Sequence, residues 1–397
     1  MTLDFPKADA APVEPTVTRE SYYRFNGLLA LATALPLLGV AAFNVIVNPY
    51  GLYPAPVRPG FNQAQPNKSN NMRMFKAADI TRLRPNAVFL GSSRTEYGLD
   101  PAHPVFAADN TYNLALGAAT PYELRRYLEH ALVNQPNLTR VVINVDEFMF
   151  NTLNVENPSF AEQRLARRGL WLMDIVNTTL SLDTFNASRR NLRVSKANPD
   201  YESYQPDGQL NLRPIDRQPD KTDYRFRNSI GFYFKAFPGA YQLSDDYLAE
   251  FKALIELCQS RGLDYQVYIS PSHVTRWEAI RAAGHWPQYE QMKRELAQIT
   301  PIWDFSGYNS ITTERLQPEM DYYIDDSHYT ETVGNLVLDR MYDDSAKGVP
   351  EDFGVVLTPA TVDDHLETIN RDRNRWASEN PDIVELVENI YQEHLPN

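Results

Sequence analysis

Ser93 is the residue of this chain whose neighbours best suit a nucleophile. Ala87 to Leu90 form an apolar run that predicts a buried strand, and Gly91-Ser92-Ser93 follows at its carboxyl end. In open α/β sheets, ligands bind beyond the carboxyl ends of the strands, where exposed backbone N–H groups can stabilise an oxyanion. Because serine is a weak nucleophile at its own pKa, this chemistry requires a nearby base.

His328 is the histidine whose neighbours fit that requirement. The chain contains seven histidines, and this one ends the segment Asp325-Asp326-Ser327-His328, just before a predicted helix. An acid three residues before a histidine can lie on the same side of a turn. There it can accept a hydrogen bond from one ring nitrogen and leave the other free to take the serine proton. The competing interpretation is that Asp325 only caps the helix.

The elements that must position these residues alternate between strands and helices. Further apolar runs predict strands at residues 111–115, 141–145, 265–269 and 302–305. One helix start is well marked, because Thr120 can cap it, Pro121 suits its first position and Glu123 completes a capping box. Apolar residues at helical spacing also follow Ser244 and His328. This alternation predicts an α/β fold with a parallel sheet.

Two stretches stand outside that alternation. Residues 151–240 predict an insertion or cap over one edge of the sheet, helical between Leu165 and Ile175 and then polar, aromatic and proline-containing. Residues 347–397 predict a charged C-terminal extension with two helices. The catalytic domain is therefore expected to span residues 68–346, with the insertion inside it.

The N-terminal segment predicts a membrane anchor. No charged residue occurs from Phe25 to Val57, and a helix needs about 20 apolar residues to cross a bilayer. We expect a tail at residues 1–24, a transmembrane helix at 25–47 and a linker at 48–67. A cleaved signal peptide ending near Gly39 and a buried core helix are the alternatives.

Composition limits the classes of function. With 43% hydrophobic and 22% charged residues, the chain has the composition of a globular protein. A net charge of -13 argues against binding nucleic acid, which requires a basic face. The single cysteine, Cys258, excludes an intrachain disulfide and is expected to be a buried, inert thiol. Arg19 and Arg24 before the apolar segment favour an N-terminus inside the cell, with the remaining chain outside.

Taken together, these motifs resemble those of the SGNH (GDSL-type) hydrolases. The resemblance rests on Phe89-Leu-Gly-Ser-Ser-Arg-Thr95, on Gly117 after the second predicted strand, and on Tyr323-Ile-Asp-Asp-Ser-His-Tyr329. It covers residues 68–345 without the insertion. It is closest to the membrane-anchored branch that includes the alginate O-acetylation proteins and the D-alanine transfer protein of teichoic acid synthesis. The resemblance implies a flavodoxin-like three-layer fold and acyl-serine chemistry without metal or cofactor.

The resemblance also assigns roles to single residues. It makes Ser93 the nucleophile, His328 the base and Asp325 the residue that orients it, with the Gly117 N–H as an oxyanion donor beside the N–H of Ser93. Ser92 stands where the family usually has an acid, as in the acyl-transferring branch.

The family's Gly-x-Asn-Asp block is absent, and this chain has Ile143-Asn-Val-Asp146 after the third predicted strand. Asn144 or Asp146 stands at that place, but an ionised Asp cannot donate a hydrogen bond. Losing one oxyanion donor typically costs on the order of 3 kcal/mol of transition-state stabilisation, so a plain, fast hydrolase is the less favoured outcome.

Further candidates each have a second interpretation. Arg94 can hold an anionic substrate group bidentately or form a structural ion pair. His273 follows the strand at 265–269 and either lines the same cleft or belongs to a helix-capping loop. Aromatic residues of the insertion can stack on sugar rings or pack the insertion onto the domain. These are Tyr201, Tyr204, Tyr224, Phe232 and Tyr233.

The leading functional hypothesis is a serine esterase or O-acyltransferase that acts on a cell-envelope or extracellular glycan. Its expected partners are an acyl donor, a glycan acceptor and a polytopic membrane-bound O-acyltransferase. Its expected location is the bacterial inner membrane, crossed once, with the catalytic domain periplasmic or extracellular. The alternative is a catalytically weak SGNH-like module that binds glycan or a membrane acyltransferase. A third interpretation is a membrane-tethered structural protein.

Overall fold

The computed structural model describes residues 18–166, 171–342 and 348–395. Within these ranges the chain forms six strands and fourteen α-helices. The strands are β1 (Ala87–Leu90), β2 (Thr111–Asn113), β3 (Arg140–Val145), β4 (Asp264–Ile269), β5 (Ile302–Asp304) and β6 (Val355–Leu357). The helices are α1 (Arg19–Val47), α2 (Met72–Leu83), α3 (Ser93–Gly98), α4 (Pro121–Asn134), α5 (Glu162–Leu165), α6 (Leu172–Leu180), α7 (Leu182–Ala197), α8 (Thr222–Ala236), α9 (Asp245–Ser260), α10 (Val274–Ala282), α11 (Trp286–Ile299), α12 (Glu331–Tyr342), α13 (Val362–Glu379) and α14 (Pro381–His394).

The strands form one sheet in the order β2-β1-β3-β4-β5-β6. The first five are parallel, and β6 pairs antiparallel with β5. The α/β class and the five strands predicted from apolar runs are confirmed. The sixth strand was not predicted, because it lies within the segment expected to be a helical extension.

The sheet is buried on both faces. Val88 and Leu90 of β1 lie in one apolar core, whereas Ala87 and Phe89 lie in the core on the opposite face. This arrangement requires helices on both sides, and it explains why the strand is apolar at every position.

Helix α4 begins as its sequence predicts. The Thr120 hydroxyl accepts a hydrogen bond from the Glu123 N–H at 3.2 Å, and the Glu123 carboxylate accepts one from the Thr120 N–H. Pro121 occupies the first helical position. The capping box thus fixes where the chain turns after β2, close to Gly117.

The insertion contains four helices, α5 to α8, between β3 and α9. The helical stretch expected from Leu165 to Ile175 overlaps only the end of α5 and the start of α6, and residues 167–170 lie outside the described chain. The stretch expected to be polar, aromatic and proline-containing includes the 15-residue helix α8. Another part of the insertion lies along the edge of the sheet, where the Asn113 N–H of β2 donates to the Asp207 carbonyl at 2.8 Å.

The N-terminal helix is long and apolar enough to cross a membrane, and most of its apolar stretch is exposed. It is therefore not a core helix. It begins at Arg19, within the segment predicted as a tail, and residues 1–17 of that tail lie outside the described chain.

The segment predicted as a linker packs against α7. The Ala64 N–H donates to the Ser195 hydroxyl at 3.1 Å, and the Gln65 N–H donates to the Asn191 side chain at 2.9 Å. The end of α1 is therefore joined to the domain by buried hydrogen bonds rather than by a free tether.

The C-terminal extension contains β6 and the two expected helices, α13 and α14. Residues 343–347, where the extension was predicted to begin, lie outside the described chain. Helix α14 packs against α8 and α10. The rings of Phe234 and Tyr391 lie 5.0 Å apart between centroids at this contact.

Candidate active site

Ser93 lies where the chain leaves β1 and turns into α3. A Cβ on Gly91 would lie 2.3 Å from the Thr95 hydroxyl and 2.6 Å from Asn144 Cβ, so this turn accommodates only glycine. The Ser92 side chain caps α3 by accepting from the Arg94 N–H at 3.1 Å. As the first helical residue, Ser93 has a backbone N–H without an intrahelical acceptor. Ser93 is partly exposed, and it is among the residues that line a cavity.

The structure brings Ser93, His328 and Asp325 together. The Ser93 hydroxyl lies 2.9 Å from His328 Nε2. His328 Nδ1 lies 2.9 Å from Asp325 Oδ2 and 3.0 Å from Oδ1. When Nδ1 carries the proton and donates to Asp325, Nε2 is free to accept the serine proton. The predicted spacing thus yields the geometry of a nucleophile, a base and an orienting acid.

Asp325 is held as a carboxylate by its surroundings. Burial acts to raise its pKa, but the charge of the His328 imidazolium and hydrogen bonds outweigh burial, and the pKa lies well below its usual range. Two of those bonds come from the backbone N–H groups of Ser327 and His328, each at 2.8 Å from Oδ1. Asp325 is thus ionised throughout the range in which a histidine titrates.

Two buried tyrosines fix the loop that carries His328. Tyr323 and Tyr329 form an isolated antiparallel bridge, and the Ile324 N–H donates to the His328 carbonyl at 2.9 Å. The Tyr323 hydroxyl donates to the Pro271 carbonyl at 2.7 Å, which ties the loop to the end of β4. The imidazole is therefore positioned by the core of the domain.

A cavity of about 300 Å³ opens beside Ser93 and His328. The strand order reverses between β1 and β3, and crevices at such points are the usual ligand sites of α/β sheets. One wall comes from the insertion and is mostly apolar. It is formed by Leu153, Val155, Phe232, Tyr233, Ala236 and Phe237. Ser93 thus faces a space whose lining suits an apolar group.

Arg94 forms a structural ion pair. Its guanidinium donates to Asp146 Oδ1 at 2.9 Å and to both Glu147 oxygens at 2.6 and 2.7 Å. Burial raises the pKa of Glu147, but the charge of Arg94 outweighs it and leaves that pKa lowered. Arg94 lines the cavity, yet these carboxylates use three of its donor contacts, so the alternative of a bidentate anion site is not what the structure contains.

Neither Asn144 nor Asp146 is among the residues that line the cavity. The Asn144 amide donates to the Ser270 hydroxyl at 2.7 Å, and its oxygen accepts from the Ser92 N–H at 3.4 Å. Asp146 accepts from the Ser92 hydroxyl at 2.5 Å. Both side chains are fully buried and tie β1, β3 and β4 together. Their contacts are structural in the described chain.

The Gly117 N–H has a partner of its own. It donates to the Met72 sulfur at 3.0 Å, so in this conformation it is not free to stabilise an oxyanion. The cavity is lined instead by the next residue, Ala118, whose φ of 53° lies in the left-handed region. A non-glycine residue there is uncommon and is found at functional sites. Sequence reasoning missed Ala118, since nothing in a small apolar side chain indicates its φ.

His273 caps a helix and is not part of the cavity. Its Nδ1 accepts from the Thr275 N–H at 3.2 Å at the start of α10, and its Nε2 donates to the Glu314 carbonyl at 2.7 Å. Burial lowers its pKa to about 4. Of the two interpretations, the structure contains the helix cap, and His273 is not among the residues that line the cavity beside Ser93.

The aromatic residues of the insertion divide between two roles. Phe232 and Tyr233 line the cavity, although the Tyr233 hydroxyl also pairs with His285 at 2.9 Å. Tyr204 is buried and donates to Glu96 at 3.0 Å. Tyr201 and Tyr224 lie outside this cavity. Packing within the domain therefore accounts for Tyr204. Phe232 has the most exposed side chain of these five aromatic residues.

Arg276 and Asp326 form a second buried charge pair at the cavity that the sequence did not reveal. Arg276 Nη2 lies 3.0 Å from Asp326 Oδ2, and the guanidinium lies 4.8 Å from the Tyr233 ring centroid. Burial, reinforced by the nearby Asp325 charge, raises the pKa of Asp326 to about 6 despite Arg276. The only feature of the sequence that could have pointed to Asp326 is its position directly after Asp325.

Within the described residues, no group of three or more His, Cys, Asp or Glu side chains is arranged to hold a metal ion. Comparisons with known proteins add no assignment. No protein-family model matches the chain, and no curated protein matches it at a significant level.

Proposed function

We propose that this protein is a membrane-anchored serine esterase or O-acyltransferase that works through an acyl-serine intermediate. The observation that carries the proposal is the chain of contacts from Ser93 through His328 to Asp325, at 2.9 Å for each of its two steps. In this arrangement the serine is hydrogen-bonded to a histidine, and an ionised, buried Asp orients the histidine. Several unrelated folds use the same arrangement for acyl transfer.

The fold supports assigning the domain to the SGNH type. Its five parallel strands run in the order 2-1-3-4-5, which is the order of flavodoxin-like sheets. Ser93 follows β1, and His328 lies before α12, as the resemblance of the sequence motifs implies. We infer that the described domain is an SGNH-type α/β domain with an inserted cap.

The chemistry follows from the side chains present. His328 Nε2 takes the proton of the Ser93 hydroxyl while its oxygen attacks the ester carbonyl. The Ser93 N–H donates to the oxyanion so formed. Collapse of this intermediate expels the alcohol, which takes the proton from His328 and leaves an acyl-Ser93 ester. A second hydroxyl then gives its proton to His328 and attacks that ester, and His328 passes the proton to the Ser93 oxygen as the acyl group leaves it.

The molecule that supplies the second hydroxyl decides whether the reaction is hydrolysis or acyl transfer. Water gives hydrolysis, and a glycan hydroxyl gives transfer. We favour transfer because Ser92 stands where the family usually has an acid, as in the acyl-transferring branch that the sequence resembles. We propose a cell-envelope or extracellular glycan as acceptor, with a polytopic acyltransferase as the partner that supplies the acyl group.

A second candidate function is a binding module with weak catalysis. It is favoured by one observation, the hydrogen bond of the Gly117 N–H to Met72, which withdraws a donor that the resemblance assigns to the oxyanion. Such a module would hold a glycan or a membrane acyltransferase in the same cavity.

Covalent labelling distinguishes the two. A fluorophosphonate probe is expected to label the full-length protein in detergent at Ser93, as located by peptide mass spectrometry, and the Ser93→Ala variant is expected to stay unlabelled. Ser260→Ala, at the exposed end of α9, serves as the matched control and should label like the wild type. Absence of label on the folded wild type would favour the binding module.

A further inference from the structure

Helix α6 exposes its apolar face, whereas an ordinary surface helix buries that face. Leu172, Met173, Val176 and Leu180 stand at positions i, i+1, i+4 and i+8, which share one face of a helix. All four are exposed, as is Leu182 at the start of α7, with exposed fractions between 41% and 74%. An apolar stripe of this kind normally faces the core.

Two polar side chains of α6, those of Asp174 and Thr178, point into the protein instead. Asp174 is buried in an ion pair with Arg164 at 2.6 Å. Thr178 is buried too, and its hydroxyl lies 2.7 Å from the Tyr53 hydroxyl. The side of α6 that carries Asp174 and Thr178 is thus buried with hydrogen-bond and ion-pair partners, and its apolar side is exposed.

The position of α6 along α1 is fixed by hydrogen bonds. The Asn44 amide donates to the Thr179 carbonyl at 2.9 Å, and its oxygen accepts from the Ser188 hydroxyl at 2.9 Å. α6 and α7 therefore lie at the level of Asn44 on α1. Asn44 is fully buried between them, whereas α1 is exposed from Arg19 to Gly39.

That level coincides with the edge of a bilayer. The charged residues of α1, Arg19, Glu20 and Arg24, must lie in water on one side, so the apolar span begins at Phe25. A span of about 20 residues covers the hydrocarbon thickness of about 30 Å. Counted from Phe25, the span ends close to Asn44. The exposed apolar face of α6 is thus continuous with α1 at the boundary between acyl chains and headgroups.

We infer that the apolar face of α6, together with Leu182, lies in the interfacial layer of the lipid bilayer beside the end of α1. The inference rests on the membrane anchoring that is part of the proposed function. Burying four or five such side chains in the headgroup and acyl boundary is the behaviour of interfacial helices. The domain is then seated on the membrane at two connected elements, so that its orientation toward the lipid surface is fixed.

Depth-dependent quenching tests this placement in the full-length protein. The native thiol is silent, because Cys258 is buried and burial raises its pKa to about 12. Three variants each carry one new cysteine labelled with a fluorophore. They are Val176→Cys on α6, Leu31→Cys in α1 and Val133→Cys, an equally exposed apolar position on α4. The proteins are reconstituted into phosphatidylethanolamine–phosphatidylglycerol vesicles that contain lipids with nitroxides at shallow or deep acyl positions.

We expect shallow nitroxides to quench the Val176 label at least about twofold more than the Val133 label, and deep nitroxides to quench the Leu31 label. Quenching at Leu31 with none at Val176 would overturn the interfacial placement and leave the anchoring intact. Quenching at neither position would remove the anchoring itself. A Val176 label shielded from water-soluble quenchers but untouched by lipid nitroxides would assign this face to a protein partner or a second copy, against the inference.

Discussion

The hydroxyl of Ser93 lies 2.9 Å from Nε2 of His328, although 235 positions separate the two residues along the chain. Ser93 is placed by the end of β1, and His328 by a loop that Tyr323 and Tyr329 bridge. The contact therefore depends on the whole sheet. His328 is in turn oriented by Asp325, which contacts the other ring nitrogen, Nδ1.

Asp325→Asn should leave the fold intact but reduce kcat steeply. The amide can still accept the backbone N–H bonds that Asp325 receives from Ser327 and His328. It cannot stabilise the imidazolium, and it favours the wrong tautomer, for which losses on the order of 10⁴-fold are known in serine enzymes. Ester turnover and circular dichroism of the variant measure the two effects. Turnover within tenfold of the wild type would contradict an orienting role for Asp325.

Arg94→Met should destabilise the domain rather than weaken substrate binding alone. It leaves Asp146 and Glu147 buried without their cation, and breaking a buried pair in this way costs about 3–5 kcal/mol. Arg227→Met on α8 removes an exposed pair with Asp223 and should cost on the order of a few tenths of a kcal/mol. Urea unfolding of both variants measures the difference. Equal stabilities would mean that Arg94 is not structural.

Ala236→Phe should change the length of acyl group that the site accepts. Ala236 lines the apolar wall of the cavity, and a larger side chain there occupies space needed by a long acyl chain. We expect turnover of an octanoyl ester to fall on the order of tenfold or more, with an acetyl ester little changed. Ala102→Phe, at an exposed loop position, is the control. If both esters lose activity equally, the wall does not set acyl length.

His273→Asn should flatten the dependence of stability on pH. Burial lowers the pKa of His273 to about 4, against about 6.5 in an unfolded chain. Below pH 6.5 the unfolded state takes up a proton that the folded state refuses, so the free energy of unfolding falls as the pH drops from 6.5 to 4. The loss approaches about 3 kcal/mol for this group. Asn keeps a helix cap without titrating.

Unfolding by urea at several pH values checks this. The wild type should lose stability over that range, whereas His273→Asn should lose about 3 kcal/mol less while being weaker at pH 7, where it lacks the bond to Glu314. Parallel curves for the two proteins would show that folding does not lower the pKa of His273.

Much of the scaffold followed from local chemistry. The start of α4 was predicted to the residue, because Thr120, Pro121 and Glu123 act on one another within a single turn. Strand β1 was predicted because both faces are buried and every side chain is apolar. β6 escaped, since Val355 to Leu357 is too short to form a pattern. α8 had a usable signal, as Phe226, Ile230, Tyr233 and Phe234 recur at helical spacing, but its proline-rich surroundings concealed it.

The details of the site depended on contacts that no local pattern encodes. The spacing of Asp325 and His328 predicted their pairing. The carboxylates that pair with Arg94, those of Asp146 and Glu147, follow β3 and are 52 and 53 positions away in the sequence. Nothing near Gly117 in the sequence indicates that Met72, 45 residues earlier, accepts its N–H. His273 was left open between two interpretations because a histidine after a strand can face a ligand or the following helix, and only the burial of its ring decides between them.

The contact between α8 and α14 joins the wall of the cavity to a part of the chain far from Ser93. Gly231 leaves room for the ring of His394, since a Cβ there would lie 2.9 Å from its Nε2. The wall of the cavity is thus braced by α14, which packs against α8. Loss of α14 would loosen this wall and leave the Ser93–His328 contact, which involves neither helix, in place.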